Sequence, residues 1–367
     1  GLQFDLTRCL EEWEKGGEIS KFRPGQLDVS YRLEMPKRLY GRDSQLASLL
    51  SAFERARGGE VIWVQLRGNS GVGKSTLAEA ARKNFIRQGG LFVTGKFQPY
   101  HQNRPYHALL ESFGELALLL LGETEQGLKL WKKRILEAVH PNGALLTELA
   151  PLLGELLGPQ PELPVLTPTE SMNRFQLVVQ DFLTAVATPE HPLVILLEDL
   201  HWADRPTLNI LEVLLTNRLQ RNLLVVGTFR DGEKEQTLPL HRLFKSLKEK
   251  SVTTFDIKVE PFNLDELTLL TGETLSSRPS KELELAKFLL ERTGGNPFFV
   301  RQLLELLRES GKLRVADGLW DWEPEELRTV EMMDSVAEMM ARRIKTLDSK
   351  TRDILGIAAR VGSHFEL

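Results

Sequence analysis

The chain has 367 residues, 41% hydrophobic and 27% charged, the profile of a globular protein with room for two or three domains. Its 47 basic and 51 acidic residues leave a net charge of −4, which removes any bulk drive toward nucleic acid and argues against it as a partner. The single cysteine, Cys9, excludes an internal disulfide and fits a reducing, cytoplasmic setting, and no apolar run approaches the ~20 residues of a membrane span.

Residues 1–38 carry few periodic apolar positions. A short helix from Phe4 to Trp13 is expected, then a connector to Pro36. The chain opens on Gly1 and ends at 362–367 without an element that closes a domain, so a piece of a longer protein is expected. The core is expected to begin at Leu39-Tyr40-Gly41-Arg42-Asp43. A helix follows with Leu46, Leu49, Leu50 and Phe53 on one face. Residues 61–67 are apolar and β-branched and predict a buried strand. Residues 74–88 predict a helix closed by Gly89-Gly90.

Between that strand and helix lies Gly68-Asn69-Ser70-Gly71-Val72-Gly73-Lys74-Ser75-Thr76, which fits G-x-x-x-x-G-K-[ST] without a gap. The glycines let backbone N–H groups curl around a triphosphate, and the helix start adds unpaired donors and a positive dipole end. Lys74 would reach the β- and γ-phosphates, and Ser75 would hold Mg²⁺. A glycine-rich turn that fits by chance is the competing reading, and the flanking strand and helix argue against it.

Residues 91–97 predict a second strand. Residues 105–160 are Leu-rich and helical, broken at Pro141-Asn142-Gly143, and prolines at 159, 161, 164 and 168 mark a loop. Thr167-Pro168-Thr169-Glu170 predicts a capping box with proline at N1, opening a helix that turns Phe175, Val178, Val179 and Phe182 inward. Buried strands are expected at 192–199 and 223–230, with an alternating last strand at 253–259. Strands of this apolar character alternating with helices predict an α/β fold, a parallel sheet flanked by helices. Beyond Pro261 the chain reads as helical. Asn263 and Glu266 form a cap with glutamate at N3, Gly294-Gly295 closes a helix, and Asn296-Pro297 opens the next. Trp320 and Trp322 fall in a turn or short hairpin. Further helices are expected to open at Asp334 and at Asp348-Ser349. The pairs Met332-Met333 and Met339-Met340, seven apart, read as helical core packing.

A phosphate loop needs a partner for the metal and the attacking water. Residues 193–197 followed by Glu198-Asp199 supply acids at the tip of an adjacent buried strand, at the sheet edge where open α/β folds bind ligands. One carboxylate can hold Mg²⁺ and the other can orient or deprotonate water. Arg230, ending the next strand, either senses the γ-phosphate or pairs with Asp231. Asp204 and Asn209 share the spacing of a protein-kinase catalytic loop, but no other kinase element accompanies them. His201 reads as a structural hydrogen bonder.

With these residues in place the chain resembles the predicted-ATPase module of the STAND class of P-loop NTPases, signal-transduction ATPases related to AAA+ proteins. The marks are Tyr40-Gly41-Arg42-Asp43, the loop 68–76, the stretch 196–204, Gly227-Thr228-Phe229-Arg230 and Thr293-Gly294-Gly295-Asn296-Pro297-Phe298-Phe299. Gly95-Lys96-Phe97, Pro105-Tyr106-His107-Ala108-Leu109, residues 159–163 and residues 5–10 are similar to bacterial fusions that place this module between a serine/threonine-kinase-like domain and a GAF plus histidine-kinase region. The resemblance implies a linker at 1–38 after an upstream domain, a nucleotide-binding domain at 39–260 with a helical insertion at 105–175, a helical lid at 261–333 and the start of a winged helix at 334–367. It implies bound ATP or ADP with Mg²⁺. Gly295 and Pro297 would touch the nucleotide near adenine, Gly41 and Arg42 would approach the base from the other side, and Arg230 would act as the sensor arginine. The module would be a slow ATPase switch acting on protein partners, on itself by association, or on fused kinase-like and sensor domains. A nucleotide-holding scaffold and a P-loop phosphotransferase are the alternatives. Glu198-Asp199 departs from the pair of aspartates more frequent in the family.

Overall fold

The computed structural model describes residues 2–17, 33, 35–36, 38–99, 105–164, 167–231, 234–275, 279–316, 319–328, 344–345 and 347–361. The chain divides into two compact units, residues 38–261, and residues 1–37 together with 262–367.

The 38–261 unit is built on five parallel strands: β1 (Val61–Arg67), β2 (Leu91–Lys96), β3 (Leu193–Glu198), β4 (Leu223–Phe229) and β5 (Thr253–Lys258), in the order β2-β3-β4-β1-β5. Parallel neighbours require crossovers, and helices supply them. After α1 (Leu2–Gly16) of the other unit come α2 (Asp43–Arg57) and α3 (Lys74–Arg87). Between β2 and β3 run α4 (His107–Leu121), α5 (Glu125–Val139), α6 (Ala144–Leu149), α7 (Pro151–Leu157) and α8 (Pro168–Val186), and α9 (Arg205–Thr216) and α10 (Lys234–Glu249) complete the unit. One expectation is corrected by the strand order. The acid-tipped β3 does not adjoin the loop-bearing β1, because β4 lies between them and pairs with both.

Alternate side chains of β1 to β4 serve two cores. Ile62, Val64, Leu66, Val194, Leu196 and Val226 face a cluster containing Phe53 and Phe85 from α2 and α3, whose rings stack 4.7 Å apart. Trp63, Ile195, Leu197 and Val225 face the larger cluster, which takes in Phe113, Phe175, Val178, Val179 and Phe182. Burying side chains of this size contributes roughly 2–3 kcal/mol each, and burial of both faces explains why β3 and β4 are apolar at every interior position except Thr228. The capping box at the start of α8 forms as the sequence predicts, with Thr167 accepting from the Glu170 N–H and Glu170 accepting from the Thr167 N–H.

The outer edge of β2 is closed by a helix. Glu115 of α4 accepts from the Thr94 N–H and hydroxyl, each at 2.7 Å, and Glu111 accepts from the Lys96 N–H at 2.9 Å. Side-chain carboxylates thus take the place of a sixth strand and blunt the edge. Between those contacts a Cβ on Gly95 would lie 1.9 Å from the Ala108 carbonyl oxygen, so only glycine lets α4 come this close.

In the second unit, α11 (Leu264–Leu275) opens on a reciprocal cap between Asn263 and Glu266, each bond 2.9 Å. After α12 (Pro279–Thr293), Gly294 and Gly295 turn with positive φ, and α13 (Pro297–Glu309) starts from Asn296, which accepts from the Phe298 N–H. A hairpin of β6 (Arg314–Ala316) and β7 (Leu319–Asp321) carries Trp320, and Lys281 ties it to α12 through the Asp321 carboxylate and the Trp322 carbonyl. α14 (Pro324–Arg328) and α15 (Ser349–Val361) follow. The two methionine pairs and the helix expected at 334 lie outside the described residues. Among the described residues no helix is long and apolar enough to cross a membrane.

Candidate functional site

The sequence places glycine where the chain must turn between β1 and α3. Gly68, Gly71 and Gly73 have φ of 152°, 79° and 95°, conformations that side-chain-bearing residues avoid. Gly68 is also packed tightly, since a Cβ there would lie 2.3 Å from the Val259 carbonyl oxygen. Gly73 is the N-cap of α3, with no side-chain cap, so the first-turn N–H groups of this helix face the loop that Asn69, Ser70, Gly71 and Val72 form around them.

Lys74, the first residue of α3, is 8% exposed and donates to the Gly68 and Asn69 carbonyls, each at 2.9 Å. Burial pushes its ammonium below the ordinary lysine pKa. Asp199, Asp231 and Glu198 are near enough to oppose that shift, and Arg230 is near enough to add to it. Lys74, Glu198, Asp199 and Arg230 therefore share one electrostatic site. Ser75 donates its hydroxyl to Glu198 across the mouth of the loop, while Thr76 lies in the same first turn of α3.

Asp199 follows β3 in a left-handed conformation, φ 58° and ψ 42°. Its N–H donates to the hydroxyl of buried Thr228 at 3.1 Å, and its carboxylate stands 4.0 Å from the Lys96 ammonium. Asp231 pairs with Arg67 at 3.4 Å, so the expected alternative for Arg230, a pair with Asp231, meets a competitor. Asp204 caps α9 by accepting from the Thr207 N–H and hydroxyl, which accounts for it without kinase chemistry. His201 is buried beside Trp202, their rings 5.2 Å apart.

Gly41 turns with φ 62° ahead of α2. Arg42 is buried and donates to the Glu260 carbonyl, next to the Val259 carbonyl that covers Gly68. The segment 41–42 thus lies at the same sheet edge as the loop. Pro297 belongs to the other unit, at N1 of α13.

Thr228 and Lys96, which enter the sequence analysis only within stretches that carry the resemblance, take part in the site. Alternation along β2 and β4 places both at strand ends beside the acids, which is the signal that could have found them.

The residues fit a magnesium nucleotide. Among the described residues no cluster of three or more His, Cys, Asp or Glu side chains is disposed to hold a metal. A hydroxyl and one or two carboxylates beside a phosphate cradle are what Mg²⁺ uses when phosphate oxygens and water complete its shell. Ser75, Glu198 and Asp199 are so placed.

A family model described as AAA ATPase domain matches residues 38–226, more than half of the chain. Hybrid signal transduction histidine kinase G of Dictyostelium discoideum is 26% identical over 415 residues, covering 95% of this chain and 12% of that protein. A peroxide stress-activated histidine kinase of Schizosaccharomyces pombe is 25% identical over 265 residues, covering 66% of this chain and 11% of that one. The chain thus spans about a tenth of the length of these relatives. Among solved structures, a Walker-type ATPase of Pyrococcus abyssi is similar with a TM-score of 0.42 and 12% identity, over 90% of this chain and 80% of that one. A STAND protein with a tetratricopeptide repeat sensor from Pyrococcus horikoshii is similar with a TM-score of 0.42 and 16% identity, over 91% and 36%. By the family match, this chain belongs to the AAA ATPase domain family.

Proposed function

We propose that this chain is the ATP-binding, slowly ATP-hydrolysing switch of a larger signalling protein. The observation that carries the reading is the joining of Ser75 to Glu198 beside a buried Lys74. Lys74 holds the β- and γ-phosphate oxygens. Ser75 and Glu198 take Mg²⁺, which when bound neutralises charge that develops on the transferred phosphoryl group. Asp199, held in a left-handed turn after β3, orients the attacking water, and Arg230 senses the γ-phosphate. Gly41, Arg42 and Pro297 are assigned to the base side, with 261–333 as a lid and 334–367 as the start of a winged helix. Loss of the γ-phosphate changes the contacts available to these residues and biases lid position, and through it self-association or the output of attached kinase-like and sensor domains. That the two curated relatives are named as histidine kinases, and that the chain spans so little of them, supports a module within a longer signalling protein.

Steady-state phosphate release with Mg-ATP tests the reading: slow turnover that Asp199→Ala reduces while nucleotide affinity persists supports it, and turnover indifferent to Asp199 contradicts it. A nucleotide-holding scaffold is the second reading, favoured by Lys96, a cation that competes with water for the Asp199 carboxylate. Nucleotide retained through purification with no phosphate release selects it.

A further inference from the structure

β4 carries a bare position at a crowded point. Gly227 lies opposite Gln65 of β1 and Leu197 of β3. It is absent from the residues with positive φ, so the conformation does not call for glycine and the reason is space. A Cβ there would lie 2.2 Å from Leu200 Cδ1 and 2.7 Å from Trp63 Cη2, against ~3.5–4.0 Å for ordinary carbon contacts. Leu200 and Trp63 are themselves buried, at 1% and 0% exposure, so neither moves aside freely.

Leu200, which fills this space, is the residue directly after Asp199. A left-handed aspartate costs about 1 kcal/mol or more and persists only when its surroundings determine it. Here two consecutive residues of β4 do so. The Thr228 hydroxyl accepts from the Asp199 N–H, and the empty space at Gly227 seats the Leu200 side chain against Trp63. The Asp199 carbonyl then accepts from the Trp202 N–H at 2.9 Å and closes the turn. Trp63, the wall of the seat, stands on β1, the strand that delivers the phosphate loop.

We infer that Gly227 is a positioning residue: by carrying no side chain it seats Leu200, and the seated Leu200 fixes the direction of the Asp199 carboxylate. This rests on the reading of Asp199 as the group that orients water. A methyl at 227 displaces Leu200 and turns Asp199 away, leaving Lys74 and Ser75 where they are. Turnover therefore falls while nucleotide binding stays.

The test measures kcat for phosphate release and calorimetric affinity for ADP in the full chain, for the wild type, Gly227→Ala, Leu200→Ala and the double variant. Gly227→Ala is expected to lower kcat about tenfold to a hundredfold, the effect of a small misplacement of a reacting group, with affinity unchanged. The double variant is expected to exceed Gly227→Ala, because alanine at 200 leaves room for the methyl at 227, and not to exceed Leu200→Ala, which has already lost the seated side chain. A Gly227→Ala protein with wild-type kcat overturns the inference, as does a loss of kcat matched by an equal loss of affinity and unrelieved in the double variant. Should Gly227→Ala fail to fold, Leu200→Ala decides: reduced kcat with intact affinity supports the seat, and unchanged kcat overturns it. A wild-type protein that binds nucleotide and releases no phosphate overturns the hydrolytic reading itself, and the positioning role falls with it.

Discussion

Ser75 and Glu198 are hydrogen-bonded across the mouth of the phosphate loop, although the strands that carry them into place, β1 and β3, are separated by β4. The acid at 198 reaches the hydroxyl, while Asp199, one residue on, gives its N–H to Thr228 and sets its carboxylate 4.0 Å from the Lys96 ammonium. The two carboxylates of the acidic pair are thereby given different surroundings and, on the account proposed here, different tasks.

That division predicts that Glu198→Gln weakens the Mg²⁺-dependent part of ATP affinity by about tenfold or more, the range for removing a group that supports a metal. Affinity measured in chelator should stay as in the wild type. Calorimetry with and without Mg²⁺ checks it, and a variant equally weakened in both conditions contradicts the assignment.

Asp199→Ala should bind Mg-ATP as the wild type does and release phosphate roughly 10²–10³ times more slowly, the range for a group that positions or accepts a proton. Single-turnover measurement separates this from slow product release.

The buried Lys74 gives binding a pH dependence. Its pKa in the free protein is lowered by burial, and an anionic phosphate beside it favours the charged form, so nucleotide raises it again. Binding is therefore accompanied by proton uptake in the alkaline range. Affinity should be full below the free-state pKa of Lys74 and should decline as pH rises through it, beginning earlier than for an ordinary lysine. Titrations in buffers of different ionisation enthalpy read the proton uptake directly, and a flat profile with no uptake contradicts the account.

Gly68→Ala should destabilise the fold by roughly 2 kcal/mol or more, as overpacking does, because its Cβ would meet the Val259 carbonyl oxygen at 2.3 Å. A lower Tm in the absence of nucleotide checks this, and an unchanged Tm contradicts it.

Much of this was legible from local chemistry. The glycines at 68, 71 and 73, the caps at Thr167, Asn263 and Asn296, and the apolar runs of β1, β3 and β4 each declare themselves within a few residues. What was not legible depends on which strands neighbour one another. The insertion of β4 between β1 and β3 cannot be read along a chain whose strands pair through crossovers, and Thr228 gains its partner in Asp199 only through that insertion. Glu111 and Glu115 look like the solvent face of a Leu-rich helix, yet they satisfy the open edge of β2. Gly227 looks like a weak point in a strand until Leu200 is seen lying against it.

The central claim is that the loop 68–76 binds a nucleoside triphosphate through Lys74. Calorimetric titration of Mg-ATP into the wild type and Lys74→Ala tests it most directly. The account predicts saturable binding to the wild type and none to the variant, with both folded by circular dichroism, whereas equal affinity in the two proteins would contradict it.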